Sequence, residues 1–247
     1  MSDFIATLIS ARRYGHVLNV GPDAPRTLEE GFRAAAHYAA AINSPVAGWK
    51  VGYSPDGRPV ASPMLLDGMR HSGTHWRLNP ALPLIPEVEI ALRLARDLPP
   101  NPILPYTREQ ILDATTEIMI GFEMIERRID HSTPPPIFVS LADHQGNAGF
   151  VMGDAIPPQH RHALSELRCQ FWIDGHSHTD RRGGHPKLDP LIPLIDWANH
   201  QCDFLGGLKA GHIITTGSLT PTLFMTSPAH LDASLENIGN VSTTLTL

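Results

Sequence analysis

The chain has 247 residues and a formal net charge of −6, with 19 lysines and arginines against 25 aspartates and glutamates. That length suits one large domain or one domain with a smaller appendage, and the acidic balance gives no electrostatic ground for binding nucleic acid. No apolar run approaches the ~20 residues of a membrane span, Met1-Ser2-Asp3-Phe4 lacks a basic-then-apolar leader, and Cys169 and Cys202 show no metal or redox spacing, so a cytoplasmic protein with reduced cysteines is expected.

The 23 prolines and 20 glycines imply many turns between short elements, as in an α+β fold. Residues 2–13 and 28–42 read as helices. In the second, Leu28, Phe32, Ala35, Ala36 and Ala39 keep helical spacing, with Thr27 as N-cap and Glu30 three residues on. Together they form a helical segment over 1–45, read as packing surface within or between subunits, ahead of a single structural unit over 46–247. Residues 47–53 predict a strand with Lys50 on the face opposite Trp49 and Val51, where a lysine without a partner is ordinarily solvated. Residues 54–63 predict a connection through Pro-Asp-Gly and Pro that could cover a site. Asp67 is either a turn residue before Gly68 or a positioned acid.

Residues 71–78 suggest a short polar hairpin, and 87–95 a strand. Thr107 and Gln110 match a capping box that opens a helix running to about residue 115. Residues 117–129 change to the strand period and carry Glu123 among apolar neighbours. Loops are expected over 97–105 and 131–136. Residues 168–173 and 176–181 flank Asp174-Gly175 as a β-hairpin. A helix over 188–200, a strand over 213–218 and alternating strands over 223–247 complete the chain, the last strand at 241–247.

Within this outline Glu87 and Glu89 stand out. At i and i+2 on a strand they share a face, where like charges repel, and burying them unpaired costs several kcal/mol or raises their pKa. Two explanations are open: a solvated edge strand, or a site for a hard divalent cation such as Mg²⁺ or Mn²⁺, which takes carboxylate oxygens and keeps open positions for water or substrate. His176, His178 and Asp180 also share a strand face just beyond a tight turn, a placement that favours a solvated edge over a metal site.

Several stretches occur in a familiar order: Gly48-Trp49-Lys50-Val51-Gly52, Glu87-Val88-Glu89, Gly121 to Ile129, Ala142 to Gly149, Gly184-His185-Pro186, Leu208-Lys209-Ala210-Gly211 and Thr216-Gly217-Ser218-Leu219. The set resembles the 2-keto-4-pentenoate hydratase branch of the fumarylacetoacetate hydrolase superfamily, which also holds the 4-oxalocrotonate (2-oxo-3-hexenedioate) decarboxylases. The resemblance implies an α+β fold, a mixed β-roll with flanking helices, and a divalent metal (Mg²⁺ or Mn²⁺) at its mouth. It makes Glu87, Glu89 and Glu123 the metal carboxylates, Lys50 and Asp67 the catalytic pair for proton transfer, and Ser218 and Asp143 substrate-binding residues. A desolvated Lys50 would act near neutral pH. The implied reaction is hydration of a 2-hydroxypenta-2,4-dienoate-type substrate in aromatic-compound breakdown, or decarboxylation of 2-oxo-3-hexenedioate. A non-catalytic subunit of such an assembly is a third reading. The implied partners are a small 2-oxo acid or dienol and further copies of the chain in a homo-oligomer.

The chain departs from that pattern where His144 follows Asp143 in place of the usual Asn, where Arg127 replaces a small residue, and in a short loop over 53–63. No His-x-x-Glu of the hydrolase branch occurs.

Overall fold

The computed structural model describes residues 2–101, 103–130, 132, 134–158 and 164–247. In chain order its elements are α1 (Ser2–Tyr14), α2 (Leu28–Ile42), β1 (Val46–Tyr53), β2 (Pro59–Leu65), β3 (Met69–His71), β4 (Thr74–Arg77), β5 (Leu84–Leu94), α3 (Arg108–Asp113), β6 (Thr115–Glu126), α4 (Ile137–Ala142), β7 (Asn147–Ile156), β8 (Arg168–Ile173), β9 (His176–Arg182), α5 (Leu191–His200), β10 (Ile213–Ser218), β11 (Ala229–Leu235) and β12 (Gly239–Thr246). The loops expected over 97–105 and 131–136 fall partly outside the described residues, at Pro102, His131 and Thr133.

Two mixed sheets make an α+β roll. The larger has the order β2-β1-β10-β5-β6-β7-β3 and the smaller β4-β12-β11-β8-β9. Burial follows the two-residue alternation of a strand. Trp49, Val88, Ile90 and Phe122 point into the main core with Phe171 and Trp197. The opposite face carries Lys50, Glu87, Glu89 and Glu123, with a small apolar cluster of Met64, Ala91, Met119, Phe150 and Ile213 lying along the same face. A third cluster joins α1, α2 and α4 through Leu8, Tyr38 and Val139.

The two helices of the N-terminal segment form as expected. Thr27 caps α2 by accepting from the Glu30 N–H, and Thr107 with Gln110 completes a reciprocal capping box on α3. The Asp174-Gly175 hairpin is present, both residues having positive φ (48° and 76°) as its two-residue turn requires.

Two expectations need correcting. Residues 59–63, expected within the connection over 54–63, belong to β2, which runs antiparallel to β1. Pro59 and Pro63 are tolerated because β2 is the edge strand of its sheet. Residues 71–78 are not a hairpin. β3 pairs with β7 in one sheet and β4 with β12 in the other, so the turn at Gly73 (φ 82°) carries the chain between sheets.

Gly121 sits opposite Glu89 in the β5–β6 ladder. A Cβ there would lie 2.1 Å from Cζ of Phe150, so only glycine lets that ring pass beneath the glutamates. Gly121→Val should therefore destabilise the fold by about 1–3 kcal/mol, read as a lower urea midpoint, and adding Phe150→Leu should recover part of the loss.

Candidate functional site

β5 and β6 run antiparallel with Glu87 directly opposite Glu123 and Glu89 one inward-facing step further along. In β1, Lys50 alternates to the same face. In sheet order β1 and β6 are separated by β10 and β5, three steps of about 4.8 Å if the sheet were flat. Yet Lys50 Nζ lies 2.9 Å from Glu123 Oε1. The sheet curls, and its curl brings the side chains of distant strands together on the concave face.

Among the described residues, Glu87, Glu89 and Glu123 form a convergent acidic group, with one carboxylate oxygen from each lying within 4.8 Å of the others. Glu123 is fully buried. Its Oε1 accepts from Lys50 Nζ and, at 2.9 Å, from Asn147 Nδ2. Its Oε2 is buried with no hydrogen-bond partner. Glu89 Oε2 accepts from the Gly217 N–H at 2.8 Å.

Burial pushes Glu87 up to about 7, against the pull of Lys50 and with Glu123 adding to the rise. It pushes Glu89 well above the usual carboxylate range, reinforced by Glu123 and Glu87. For Lys50, burial alone would depress the pKa, but Glu123, Glu87 and Glu89 together outweigh it and carry the ammonium above an ordinary lysine. The near-neutral lysine expected from desolvation is thus corrected: beside these carboxylates Lys50 holds its proton.

A divalent cation fits these residues. A cation would favour the ionised form of the raised Glu87 and Glu89 and would give the orphaned Oε2 of Glu123 the partner that a buried carboxylate oxygen needs. An all-oxygen donor set suits hard ions such as Mg²⁺, Mn²⁺ or Ca²⁺.

The cleft beside the triad has a volume of about 250 Å³ and is walled by Ile85, Ile125, Ile129 and Ile137, with Ser140, Gln145 and Thr222 as polar groups and Lys50 and Arg127 as cations. One wall is a tight left-handed turn, His144 (φ 51°), Gln145 (φ 52°) and Gly146 (φ 76°). Left-handed backbone costs a non-glycine residue roughly 1–2 kcal/mol, so the turn needs an anchor. Arg128, fully buried, supplies it. Its Nε donates to Asp143 Oδ1 at 2.7 Å, and its Nη2 donates to the Asp143 carbonyl at 3.3 Å and the Asn147 carbonyl at 2.9 Å. His144 turns away from the cleft and meets the Ala35 carbonyl through Nε2 at 3.0 Å. Burial lowers its pKa to about 3, with the Ala35 carbonyl opposing the shift.

The remaining expected residues are placed as follows. Asp143 lines the cleft, but its Oδ1 is committed to Arg128. The Ser218 hydroxyl donates to the Thr220 carbonyl at 2.9 Å and accepts from the Thr220 N–H at 3.2 Å, so it shapes the turn that follows Gly217. Asp67 is not brought to the cleft. It lies in a 3₁₀ turn (Leu66–Gly68) at the end of the edge strand β2, and its half-exposed carboxylate pairs with Arg12 at 3.2 Å on a separate polar surface cavity. The proton-transfer role expected of Asp67 therefore has no geometric basis. His178 and Asp180 are likewise not a site: Asp180 pairs with Arg168 on the edge strand β9, and His178 packs against Phe171.

Sequence reasoning missed Asn147, which orients Glu123, and His185, whose Nε2 meets the Thr216 carbonyl at 2.8 Å and backs the Gly217 N–H that serves Glu89. Both lie in stretches that carried the resemblance, which was the available signal.

A curled mixed sheet with three convergent carboxylates and a lysine on its concave face defines an acidic-centre roll. Residues 74–246 match the family model described as fumarylacetoacetate (FAA) hydrolase C-terminal, and the chain belongs to that family. It is 29% identical over 159 residues to 2-keto-4-pentenoate hydratase 1 of Dechloromonas aromatica (strain RCB), 63% of this chain and 58% of that protein, and 26% identical over 162 residues to the 2-keto-4-pentenoate hydratase of Burkholderia vietnamiensis (strain G4 / LMG 22486), 65% and 60% respectively. The match thus spans less than two thirds of these relatives' own length. In fold, the chain is similar to the 4-oxalocrotonate decarboxylase from Pseudomonas putida G7 complexed with calcium and acetate (TM-score 0.84, 16% identity, 99% of this chain and 98% of that one). It is also similar to fumarylpyruvate hydrolase from Pseudomonas aeruginosa in complex with Mn²⁺ and pyruvate (TM-score 0.61, 13% identity, 83% and 91%).

Two outcomes follow from the turn. Arg128→Met leaves Asp143 buried without its counter-charge and should cost about 3–5 kcal/mol, measured by urea unfolding at neutral pH. His144 is held neutral in the fold but protonates near 6.5 once unfolded, so its contribution is complete above that value and drains away as pH falls toward 3, by up to about 1.4 kcal/mol per pH unit. Unfolding free energies at pH 7 and pH 5 should differ less in His144→Asn than in the parent chain.

Proposed function

We propose that the chain is a divalent-cation-dependent lyase of 2-oxo acids or their enols, adding water to a 2-hydroxypenta-2,4-dienoate-type substrate to give a 4-hydroxy-2-oxo acid. The observation that carries this is the buried, partnerless Oε2 of Glu123 within a three-carboxylate group, beside a lysine that keeps its proton. The hydratase names of the sequence relatives support the direction of the reaction.

Glu87, Glu89 and Glu123 would hold the ion, and Asn147 and the Gly217 N–H keep two of those carboxylates oriented. Bound there, a divalent cation supplies Lewis-acid stabilisation of negative charge on substrate oxygens. Reaching the 4-hydroxy-2-oxo acid needs a proton at C5, a hydroxyl at C4 and a proton at C3, while the 2-hydroxyl gives up its proton as it becomes the ketone. Lys50 Nζ stores a proton at the floor of the cleft, and its hydrogen bond to Glu123 Oε1 fixes its position. Ser140, Gln145 and Thr222 are the polar groups at the wall that can orient a water, while the isoleucines keep bulk solvent from the apolar part of the substrate.

A second reading, decarboxylation of 2-oxo-3-hexenedioate, is favoured by the near-complete structural match to a 4-oxalocrotonate decarboxylase. The same acidic centre serves both reactions, because each moves electrons toward the oxygens of a 2-oxo acid.

Purified protein with Mg²⁺ is expected to convert 2-hydroxypenta-2,4-dienoate to the 4-hydroxy-2-oxo acid without releasing CO₂. Release of CO₂ from 2-oxo-3-hexenedioate with no hydration of the dienoate would replace the first reading with the second. Glu123→Gln should weaken Mg²⁺ binding by about 100-fold or more, measured by calorimetry on the folded variant, and abolish turnover with it.

A further inference from the structure

Strand β10 leaves its regular ladder where it passes the acidic group. Its pairing with β1 ends at Lys50–Thr215, and against β5 it goes from Thr215–Ala91 to Ser218–Glu89, so that Thr216 and Gly217 together face Ile90. The extra residue is a β-bulge, which takes backbone groups out of the ladder and re-aims them. Here the Gly217 N–H is turned onto Glu89 Oε2 at 2.8 Å. The other end of the same peptide unit, the Thr216 carbonyl, points the opposite way, as the two groups of a trans peptide do. Thr216 is buried, and a carbonyl displaced from its ladder in such a place needs a partner.

His185 supplies it through Nε2 at 2.8 Å. The ring's tautomer is set from its other side, where Nδ1 accepts the Lys187 N–H at 3.2 Å, so the proton sits on Nε2 and is donated to Thr216. Burial lowers the pKa of His185, against the Thr216 carbonyl and Asp189, and keeps the ring in that neutral form. Imidazole, peptide and carboxylate are thereby joined by two hydrogen bonds in series. Gly217 lets them close up: its φ is 129°, and a Cβ would lie 2.9 Å from His185 Nε2. The bond to the carbonyl polarises the peptide and strengthens its N–H as a donor, and the two bonds together fix the peptide plane.

We propose that His185 is a positioning residue for metal binding: through the Thr216–Gly217 peptide it holds the Glu89 carboxylate in the orientation that a divalent cation needs. The proposal rests on the divalent-cation reading above. A carboxylate held in place beforehand loses less rotamer freedom when the ion binds, which is how groups behind a metal ligand raise affinity. Arg181 separates this role from simple bracing of the loops. It ties the same two loops together, donating to the Leu219 carbonyl from Nε at 2.9 Å and to the Gly184 carbonyl from Nη2 at 3.3 Å, and its hydrogen bonds end on those two carbonyls.

The test is binding of Mn²⁺ to metal-free protein, read from the electron paramagnetic resonance signal of the free ion. His185→Asn, whose amide can still face Lys187 but falls short of Thr216, and His185→Leu should each weaken binding by about tenfold or more. His185→Gln, which carries an N–H donor to about the reach of Nε2, should stay within about threefold of the parent. Arg181→Leu should lower the melting temperature and keep Mn²⁺ affinity within about threefold. Parent-like circular dichroism spectra ensure that folded proteins are compared. In the parent itself, ring nitrogen shifts of His185 should report the neutral Nε2–H tautomer, a readout that needs no variant to fold. Parent-like affinity in His185→Asn or His185→Leu, an equal loss in His185→Gln or Arg181→Leu, or an Nδ1–H tautomer overturns the proposal and leaves the divalent-cation reading standing. Failure of the parent chain to bind Mn²⁺ overturns that reading and this proposal together.

Discussion

One carboxylate oxygen from each of three glutamates lies within 4.8 Å of the others, two of the side chains are buried, and one lysine offsets them. Burial first, and repulsion from the neighbouring carboxylates second, raise Glu87 and Glu89 above ordinary acids. The donor set of this cluster is one that a hard divalent ion would fit. Much of the surrounding structure can be understood as holding those groups where they would otherwise repel: the curl of the larger sheet, the glycine at 121 that admits Phe150, and the Gly217 N–H aimed at Glu89.

The support is layered. Arg128 lies behind the cleft wall, touches neither the lysine nor the glutamates, and binds the backbone of Asp143 and Asn147. Asn147 in turn orients Glu123, and Glu123 orients Lys50. A left-handed turn over 144–146 sits between these anchors and gives the cleft its Gln145 wall. Strain concentrated beside a reactive centre and balanced by a buried ion pair is a common way for a protein to keep a site rigid. The His144–Ala35 contact extends the same brace to α2, so the N-terminal helices also support the cleft.

Relatives that bear hydratase names and a structural neighbour that is a decarboxylase are reconciled by what this centre can do. In the proposed function the acidic group and Lys50 would address the 2-oxo acid end, which hydration and decarboxylation share.

Local pattern was enough for much of this. Period-two spacing put Glu87 and Glu89 on one face, capping residues marked α2 and α3, and Asp174-Gly175 marked its hairpin, because each depends on neighbours within a few residues. The resemblance of ordered stretches placed Glu123 and Lys50 with the other two acids, which no spacing could do across strands so far apart in sequence. Asp67, acidic and set among apolar residues, looked equally suitable, but its position at the end of an edge strand turns it outward to Arg12. The prolines at 59 and 63 suggested a loop because edge position, which makes them tolerable in β2, is a property of the sheet. Local composition determined which residues could serve, and only the curl and strand order of the sheet decided which of them meet, since contact across strands is set by register and curvature that no short stretch of chain contains.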